Sequence, residues 1–163
     1  MQTGFEIMDY DKNLKMLWVK RMLAALVDVA ITTPIAFFIM FFLHPMSYMD
    51  MLYIFLMQGP VWYVYSVIFD IISGKTVGKY IFKIRAVAFV GKLSITQALV
   101  RNLTKLNSII ALSDAIAGLS TEGDPRQRYS ERIVDSLVIS EMKIKRMRSF
   151  QGVKKKKEEL ILP

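Results

Sequence analysis

The sequence predicts an all-α membrane protein with two transmembrane helices, a third membrane-embedded helical segment and a short cytoplasmic β element. Hydrophobic residues form 53% of the 163 residues, and they concentrate in segments long enough to cross a bilayer. The Lys and Arg residues, which give the chain a net charge of +8, cluster beside those segments. This placement fits the loop bias of membrane proteins better than a nucleic-acid surface, so we expect the lipid bilayer, and no nucleic acid, as a partner.

The two predicted transmembrane helices are residues 22–43 and 51–72, each 22 residues long. A helix rises 1.5 Å per residue, so each would extend about 33 Å, enough for a hydrocarbon layer of about 30 Å. The triplet Gln58-Gly59-Pro60 lies near the middle of the second helix. It predicts either a kink that faces the helix bundle or a position where another helix approaches closely, and we favour close packing over a ligand site.

Residues 95–119 form the third predicted membrane segment, and Ser94 with Gln97 forms a capping box at its start. The segment carries three charged residues, Arg101, Lys105 and Asp114, and among its polar residues Asn107. If it crossed the membrane, the basic tail, residues 141–163, would lie outside. The alternative is a re-entrant segment that turns near Asn107, which requires a broken backbone covered by protein or water. We favour the re-entrant topology, and both remain open.

Basic residues also predict the orientation. The connection 43–50 has no Lys or Arg, whereas residues 73–97 hold five of them and no acid. By the positive-inside rule, the N-terminal segment 1–20, the second loop and the tail 141–163 are expected in the cytoplasm of a multi-pass cell-membrane protein. Residues 1–20 carry acids among their lysines, and the following apolar stretch is too long for a signal peptide, so we expect an uncleaved anchor.

A short β element is predicted in the cytoplasmic part of the chain. Residues 84–90 are rich in β-branched and apolar side chains and are followed by Gly91. Residues 137–139 form a second run of this kind. We expect the two segments to pair as strands.

Four basic residues near this element predict contact with anionic lipid headgroups: Lys75, Lys79, Lys83 and Arg85. The three lysines recur every four residues, which would place them on one helix face. Asp70, near the end of the second span, is either a solvated residue at the helix end or a member of the polar cluster, and we favour the solvated position. The chain has no cysteine and one histidine, which excludes disulfides, thiolate metal sites and a plausible nucleophile–histidine–acid arrangement. We therefore expect no metal, no cofactor and no enzymatic activity.

Four sequence blocks stand out: RMLAALVD (21–28), SGKTVGKYIFKIRAV (73–87), VRN (100–102) and DPRQRYSERIVDSLVI (124–139). In this order they resemble the RDD family of small integral membrane proteins, which would make residues 21–140 an RDD-like membrane domain. The family is named after an arginine and two aspartates. Arg21 and Asp28 match the opening pair, and Glu131 stands where the other acid usually lies. The resemblance implies a transport role, including cation/proton exchange.

Arg21 and Asp28 are seven residues apart, which places both on one helix face about 10 Å apart along the axis. Charges at such a depth face protein or water rather than lipid. Because long side chains on a helix lean toward its N-terminus, Arg21 should point away from Asp28, toward lipid phosphate or Glu131. Asp28 then needs another partner, and we predict Arg101. The predicted polar cluster, completed by Asp114 or Asn107, is Arg21, Asp28, Arg101, Lys105, Asp114 and Glu131.

These expectations fit two functions. In the first, the cluster is the ion or proton site of a cation/proton-coupled transporter. Two spans and a hairpin are too few to enclose an alternating-access path, so this function requires a homo-oligomer. In the second, the cluster is structural, and the protein is a non-transporting accessory or assembly subunit that binds another membrane protein or anionic lipid.

Overall fold

The computed structural model describes residues 3–43, 50–89 and 93–141, which are mostly helical. In chain order the described elements are α1 (Gly4–Tyr10), α2 (Lys12–Leu43), α3 (Asp50–Ile72), α4 (Val77–Ile81), β1 (Ile84–Ala88), α5 (Ile95–Asn102), a 3-10 turn (Leu103–Leu106), α6 (Ser108–Ser120), α7 (Tyr129–Ile133) and β2 (Ser136–Ser140). Apart from Glu141, the predicted basic tail lies outside the described residues.

Helix α2 contains the first predicted span, but it begins at Lys12, ten residues before that span. The Asp11 carboxylate caps this start by accepting hydrogen bonds from Asn13 N (2.8 Å) and Leu14 N (3.3 Å). Leu14 and Trp18, one helical turn apart, are both buried. The second half of the predicted N-terminal segment therefore continues the helix and packs against the rest of the protein.

Among the residues that the structure describes, α2 is the one helix long and apolar enough to cross a membrane by length and composition. Its apolar 18-residue window has a mean hydropathy of 2.1 and is only 22% buried, unlike the core helix of a soluble protein. Helix α3 covers the second predicted span, with Leu56–Ile72 as a shorter apolar stretch. Large apolar side chains stay exposed on α2, α3 and α6, among them Phe38, Phe42, Val64, Ile109 and Leu112.

The third predicted segment is broken near the position that the sequence indicates. Helix α5 ends at Asn102, the 3-10 turn follows, and Asn107 adopts an extended conformation before α6 begins. Both ends of the segment lie near α7. At the first end, Gln97 Nε2 donates to the Val134 carbonyl oxygen (2.8 Å), and at the other, Gly118 packs against the residues that lead into α7.

Gly59 lies where the 3-10 turn meets the middle of α3. A Cβ at this position would come within 1.8 Å of the Leu106 carbonyl oxygen, so only glycine fits. The neighbouring Gln58 is buried and donates through Nε2 to Thr32 Oγ1 of α2 (2.8 Å). The prediction that Gln58-Gly59-Pro60 marks close packing is confirmed.

Gly59→Ala should lower the free energy of unfolding by about 1–3 kcal/mol, because the added methyl group forces the turn away from α3. The measurement is thermal or urea unfolding in detergent. Ser113→Thr, which adds one methyl group at an exposed position of α6, is the control and should change stability by less than about 0.5 kcal/mol. A Gly59→Ala protein as stable as wild type would contradict the close packing.

Strands β1 and β2 form the predicted antiparallel pair, with Ala86 opposite Val138. Burial alternates along β1, as expected for a strand with one face on a core. Ile84 and Val138 pack with Ala24 of α2. The pairing prediction is confirmed, and the sheet contacts α2 one helical turn before Asp28.

Candidate functional site

Nine charged side chains form a buried or nearly buried charge cluster where the helices meet. It consists of four carboxylates and five cations: Asp28, Asp70, Asp114, Glu131, Arg21, Lys79, Arg101, Lys105 and Arg128. All six residues of the predicted polar cluster belong to it, and Asp70, Lys79 and Arg128 are additions. With every group ionised, the charge cluster carries one net positive charge.

Glu131 joins three arginines. Its Oε2 lies 2.7 Å from Arg21 Nη2, and its Oε1 lies 2.8 Å from Arg101 Nη2 and 3.2 Å from Arg128 Nη2. Burial raises the pKa of the Glu131 carboxyl, but the positive charges of these arginines outweigh that effect and hold its pKa well below the usual range. Glu131 is therefore a stable anion that links α2, α5 and the start of α7.

Arg21 meets Glu131, as one of its two predicted alternatives requires, and that prediction is confirmed. Its side chain does not reach out to lipid headgroups, because it is only 8% exposed. Arg21 Nη1 also donates to the Arg126 carbonyl oxygen (2.5 Å), and the guanidinium lies 4.6 Å from the centre of the Trp18 ring. Trp18 Nε1 donates to the Pro125 carbonyl oxygen (2.9 Å). These contacts tie α2 to the loop before α7.

Asp70 is buried at the end of α3, so the expectation that it is solvated is wrong. Its Oδ1 accepts a hydrogen bond from Lys79 Nζ (2.6 Å), and its Oδ2 accepts one from Asn102 Nδ2 (3.0 Å) and lies 3.5 Å from Arg101 Nε. The chain folds back after α3, and α4 then brings Lys79 onto the carboxylate. Arg101, which is fully buried, joins Asp70 to Glu131.

The three lysines spaced four residues apart do not share a helix face, because α4 covers only Val77–Ile81. Lys79 lies within α4 and is buried in the charge cluster. Lys75 precedes the helix and forms an ion pair with the first residue after β2, and Lys83 follows the helix and is exposed. Arg85 lies in β1 and is partly buried. The prediction of a basic face against lipid headgroups is therefore wrong for Lys79. Of the four residues in that prediction, only Lys83 is exposed.

Asp28 contacts the start of α4. Its Oδ2 accepts a hydrogen bond from Thr76 Oγ1 (2.6 Å), and its Oδ1 accepts bonds from Gly78 N (2.9 Å) and the Tyr65 hydroxyl (3.2 Å). The predicted Asp28–Arg101 contact is wrong, because no ion pair joins these two side chains within residues 3–43, 50–89 and 93–141. Three neutral donors hold the carboxylate instead.

Close packing between α4 and α2 explains this choice of partner. A Cβ on Gly78 would come 2.1 Å from the Ala24 carbonyl oxygen and 2.9 Å from Asp28 Oδ1. The absence of a side chain at Gly78 lets the backbone of α4 lie directly against α2. The Gly78 N–H then points at Asp28 and stabilises its negative charge, while the Val77 N–H donates to the Tyr65 hydroxyl.

Asp28→Asn and Thr76→Val should be coupled by about 0.5–3 kcal/mol in a double-mutant cycle, because the first removes the charge of the acceptor and the second the donor of the same buried hydrogen bond. Asp28→Asn and Arg101→Gln should be more weakly coupled, since their side chains do not touch. Unfolding free energies of the single and double variants in detergent supply both couplings. A stronger coupling to Arg101 than to Thr76 would contradict the observed geometry.

Asp114 is held by residues of α7 and the 3-10 turn. Its Oδ1 accepts from Ser130 N (2.7 Å), and its Oδ2 accepts from Ser130 Oγ (2.7 Å) and Thr104 Oγ1 (3.3 Å). The alternative prediction, that Asn107 completes the cluster, is wrong. Asn107 caps α6 instead, because its Oδ1 accepts from Ile109 N (2.9 Å).

Lys105 differs from the other cations of the charge cluster. It is 5% exposed, and its Nζ donates to Ser66 Oγ (2.8 Å) and lies 5.3 Å from the centre of the Trp62 ring. In the described part of the chain, no carboxylate forms an ion pair with it. The sequence places Lys105 in the polar cluster correctly but does not reveal that the four carboxylates of the charge cluster all pair with other groups.

A cavity of about 420 Å³ lies between α2 and α6. Apolar residues form most of its wall, including Met22, Leu26, Leu112 and Ala115. Its polar end is lined by six members of the charge cluster: Arg21, Asp28, Lys79, Lys105, Arg128 and Glu131. The described residues contain no group of three or more His, Cys, Asp or Glu side chains that could hold a metal ion.

Sequence reasoning missed three important members of the site, and two of them had a recognisable signal. Arg128 lies three residues before Glu131, a spacing that predicts contact across one helical turn. Thr76 precedes Lys79 by three residues, as an N-cap residue precedes the first turn of a helix. Asp70 had no local signal, because its partners depend on how α4 and α5 fold against α3.

The fold and the charge cluster define a class of protein: a mostly helical protein with an apolar exterior, a long outward-facing apolar helix and a polar interior, which suggests membrane association. The model of the RDD family matches residues 16–138, so the chain belongs to the RDD family. The resemblance noted from the four sequence blocks is confirmed. A comparison with curated proteins and one with solved structures gave no match.

Proposed function

We propose that this RDD protein is a non-transporting accessory or assembly subunit of the cell membrane, which binds another membrane protein or anionic lipid. The supporting observation is the way its buried carboxylates are held. Each of the four carboxylates of the charge cluster meets at least three donor groups of the protein within 3.5 Å. An acid with this many fixed donors is suited to hold a structure together rather than to exchange a proton or cation.

The contacts of the charge cluster support a structural role because they join distant segments. Glu131 links α2, α5 and α7, while Asp28 links α2 to α4 and Asp70 links α3 to α4 and α5. Breaking a buried ion pair by removing one partner costs about 3–5 kcal/mol. The charge cluster therefore fastens the short helices α4, α5 and α7 to the two long helices.

The proposal includes a multi-pass topology in which α2 and α3 cross the membrane and the segment from α5 to α6 enters and returns. The apolar outer faces of α2, α3 and α6 support it. The position of the 3-10 turn against Gly59, with both ends of the segment near α7, favours re-entry over crossing. The five Lys and Arg residues of the segment 73–97 favour the cytoplasmic side of the membrane for the end of α3 that leads into this segment.

Cation/proton-coupled transport by a homo-oligomer is the second candidate. The observation that favours it is the cavity, which reaches Asp28 and Lys105. In this function Asp28 would have to release Thr76, Gly78 and Tyr65 in every cycle and take up a proton or cation.

Reconstitution separates the two functions. The purified protein is placed in vesicles that contain a pH-sensitive dye, and sodium, potassium or lithium is added outside. We expect no cation-linked proton flux for wild type or for Asp28→Asn, while a known exchanger in matched vesicles responds. Flux that is present in wild type and lost in Asp28→Asn would overturn the proposal and establish transport. Mass measurement in detergent adds a second readout, because a stable monomer lacks the homo-oligomer that transport requires.

A further inference from the structure

We infer that the cavity between α2 and α6 binds one anionic phospholipid, with its phosphate against Lys105 and Trp62 and an acyl chain along the apolar wall. This inference rests on the proposed function and deepens it, because it names the anionic lipid and the place where it binds. Of the residues from which the sequence predicted a headgroup surface, Lys79 lines this cavity, whereas Lys75, Lys83 and Arg85 do not.

Lys105 supplies the first argument. Its buried ammonium group has Ser66 Oγ as a hydrogen-bond partner at 2.8 Å and forms no ion pair within the described residues. An ammonium group has three N–H donors, so donors remain for a ligand. A cation buried beside hydrocarbon normally has an anionic partner, because its charge is costly there.

Trp62 supplies a second and independent argument. Its side chain lines the cavity and is 6% exposed. The indole Nε1 has no hydrogen-bond partner in the described ranges of the chain, although a buried indole N–H usually finds an acceptor. Lys105 Nζ lies 5.3 Å from the centre of the Trp62 ring, so the two residues are neighbours in the cavity lining, and both keep donor capacity that an anionic group bound there would take up.

The charge of the site fits a phosphodiester. Four cations and two carboxylates line the cavity, so its lining attracts an anion. The whole charge cluster has five cations and four carboxylates, and a phosphodiester with one negative charge would make it neutral. Phosphate oxygens also accept several charge-assisted hydrogen bonds at once.

The apolar wall favours a lipid over a soluble anion. Met22, Leu26 and Leu112 line the cavity and are 61%, 65% and 58% exposed. They belong to the apolar outer faces of α2 and α6, so the cavity opens where the proposed topology places hydrocarbon. An acyl chain would cover these side chains, whereas inorganic phosphate would leave them uncovered.

Quenching of tryptophan fluorescence tests the inference directly, because both tryptophans of the chain, Trp18 and Trp62, line the cavity. The delipidated protein in detergent is titrated with phosphatidylglycerol that carries brominated acyl chains, and separately with brominated phosphatidylcholine. We expect phosphatidylglycerol to quench at a concentration about tenfold lower, with one lipid retained per protein in native mass spectrometry.

Two variants and two matched controls locate the site. Lys105→Met should remove the preference for phosphatidylglycerol, and Ala111→Phe, which fills the cavity, should weaken quenching by both lipids about tenfold. Lys15→Met and Ser113→Phe introduce the same two residues at exposed positions outside the cavity and should leave quenching unchanged. Thermal unfolding of each variant shows whether it is folded, and Ala111→Phe tests the site even where Lys105→Met does not fold.

Three results would overturn the inference: equal quenching by the two brominated lipids, an unchanged preference in Lys105→Met, or full displacement of phosphatidylglycerol by millimolar inorganic phosphate. The last would identify a site for a soluble anion. The vesicle experiment above is separate from these outcomes. Cation-linked proton flux with selective lipid binding would refute only the proposed function, and no flux with unselective quenching would refute only the lipid site.

Discussion

Glu131→Gln should lower the free energy of unfolding by about 3–5 kcal/mol. The glutamine amide removes the negative charge that Arg21, Arg101 and Arg128 share at 2.7, 2.8 and 3.2 Å. Three guanidinium groups then remain at a buried position without their common carboxylate. Thermal or urea unfolding in detergent, followed by circular dichroism, measures the loss.

Two further variants sharpen this prediction. Glu122→Gln makes the same chemical change at an exposed position and should alter stability by less than about 0.5 kcal/mol. Glu131→Asp keeps the charge, but its shorter side chain cannot reach all three arginines, so its stability should be intermediate. A Glu131→Gln protein as stable as Glu122→Gln would contradict a central role for this carboxylate.

The pH dependence of stability provides a separate check on Glu131. The arginines hold its folded-state pKa well below the unfolded value of about 4.3. Its contribution to stability is therefore fully present above that value and is lost as pH falls toward the folded-state pKa. The difference between wild type and Glu131→Gln should be large at pH 7 and should shrink below about pH 4.

Asp70→Asn should also lower the free energy of unfolding by about 3–5 kcal/mol. It removes the carboxylate that holds Lys79 Nζ at 2.6 Å and that lies 3.5 Å from Arg101 Nε. Lys79 then keeps a buried positive charge without its acid. The same unfolding measurements in detergent give the size of the effect, and Asp9→Asn at an exposed position of α1 is the matched control.

A double variant separates a lost ion pair from a general packing defect at Asp70. Asp70→Leu combined with Lys79→Met removes both charges and replaces them with apolar side chains. It should be more stable than Asp70→Asn alone, because residue 79 no longer carries a buried positive charge without its acid. A double variant less stable than Asp70→Asn would contradict this explanation of the loss.

Features of the fold that depend on neighbouring residues could be predicted from the sequence. The capping box of Ser94 and Gln97 is present, because its hydrogen bonds join positions within one turn. The chain breaks at Asn107, where polar residues interrupt an apolar segment. The pairing of β1 with β2 followed from two short β-branched runs.

The sequence predicts which residues belong to the charge cluster better than it predicts which of them contact each other. A charged side chain inside an apolar segment must be buried, and this places Asp28, Arg101, Lys105 and Asp114 in a polar interior. Only Arg21 was matched to an observed partner, Glu131, because its direction along the helix follows from side-chain geometry. Asp28 was assigned to Arg101, although its carboxylate is held by α4.

The sequence by itself determined that the chain has a long apolar helix, a polar interior and an RDD family pattern, since hydropathy, charge placement and motif order are properties of the chain. Only the tertiary structure decided which charges meet and that Lys105 forms no ion pair with an acid of residues 3–43, 50–89 and 93–141. The reason is the close approach of backbones that are far apart in sequence, at Gly78 against Ala24 and at Gly59 against Leu106. The absence of a side chain at each glycine lets the two backbones touch, and this contact positions the neighbouring hydrogen-bond donors. No local sequence pattern indicates which segment will pack against the glycine.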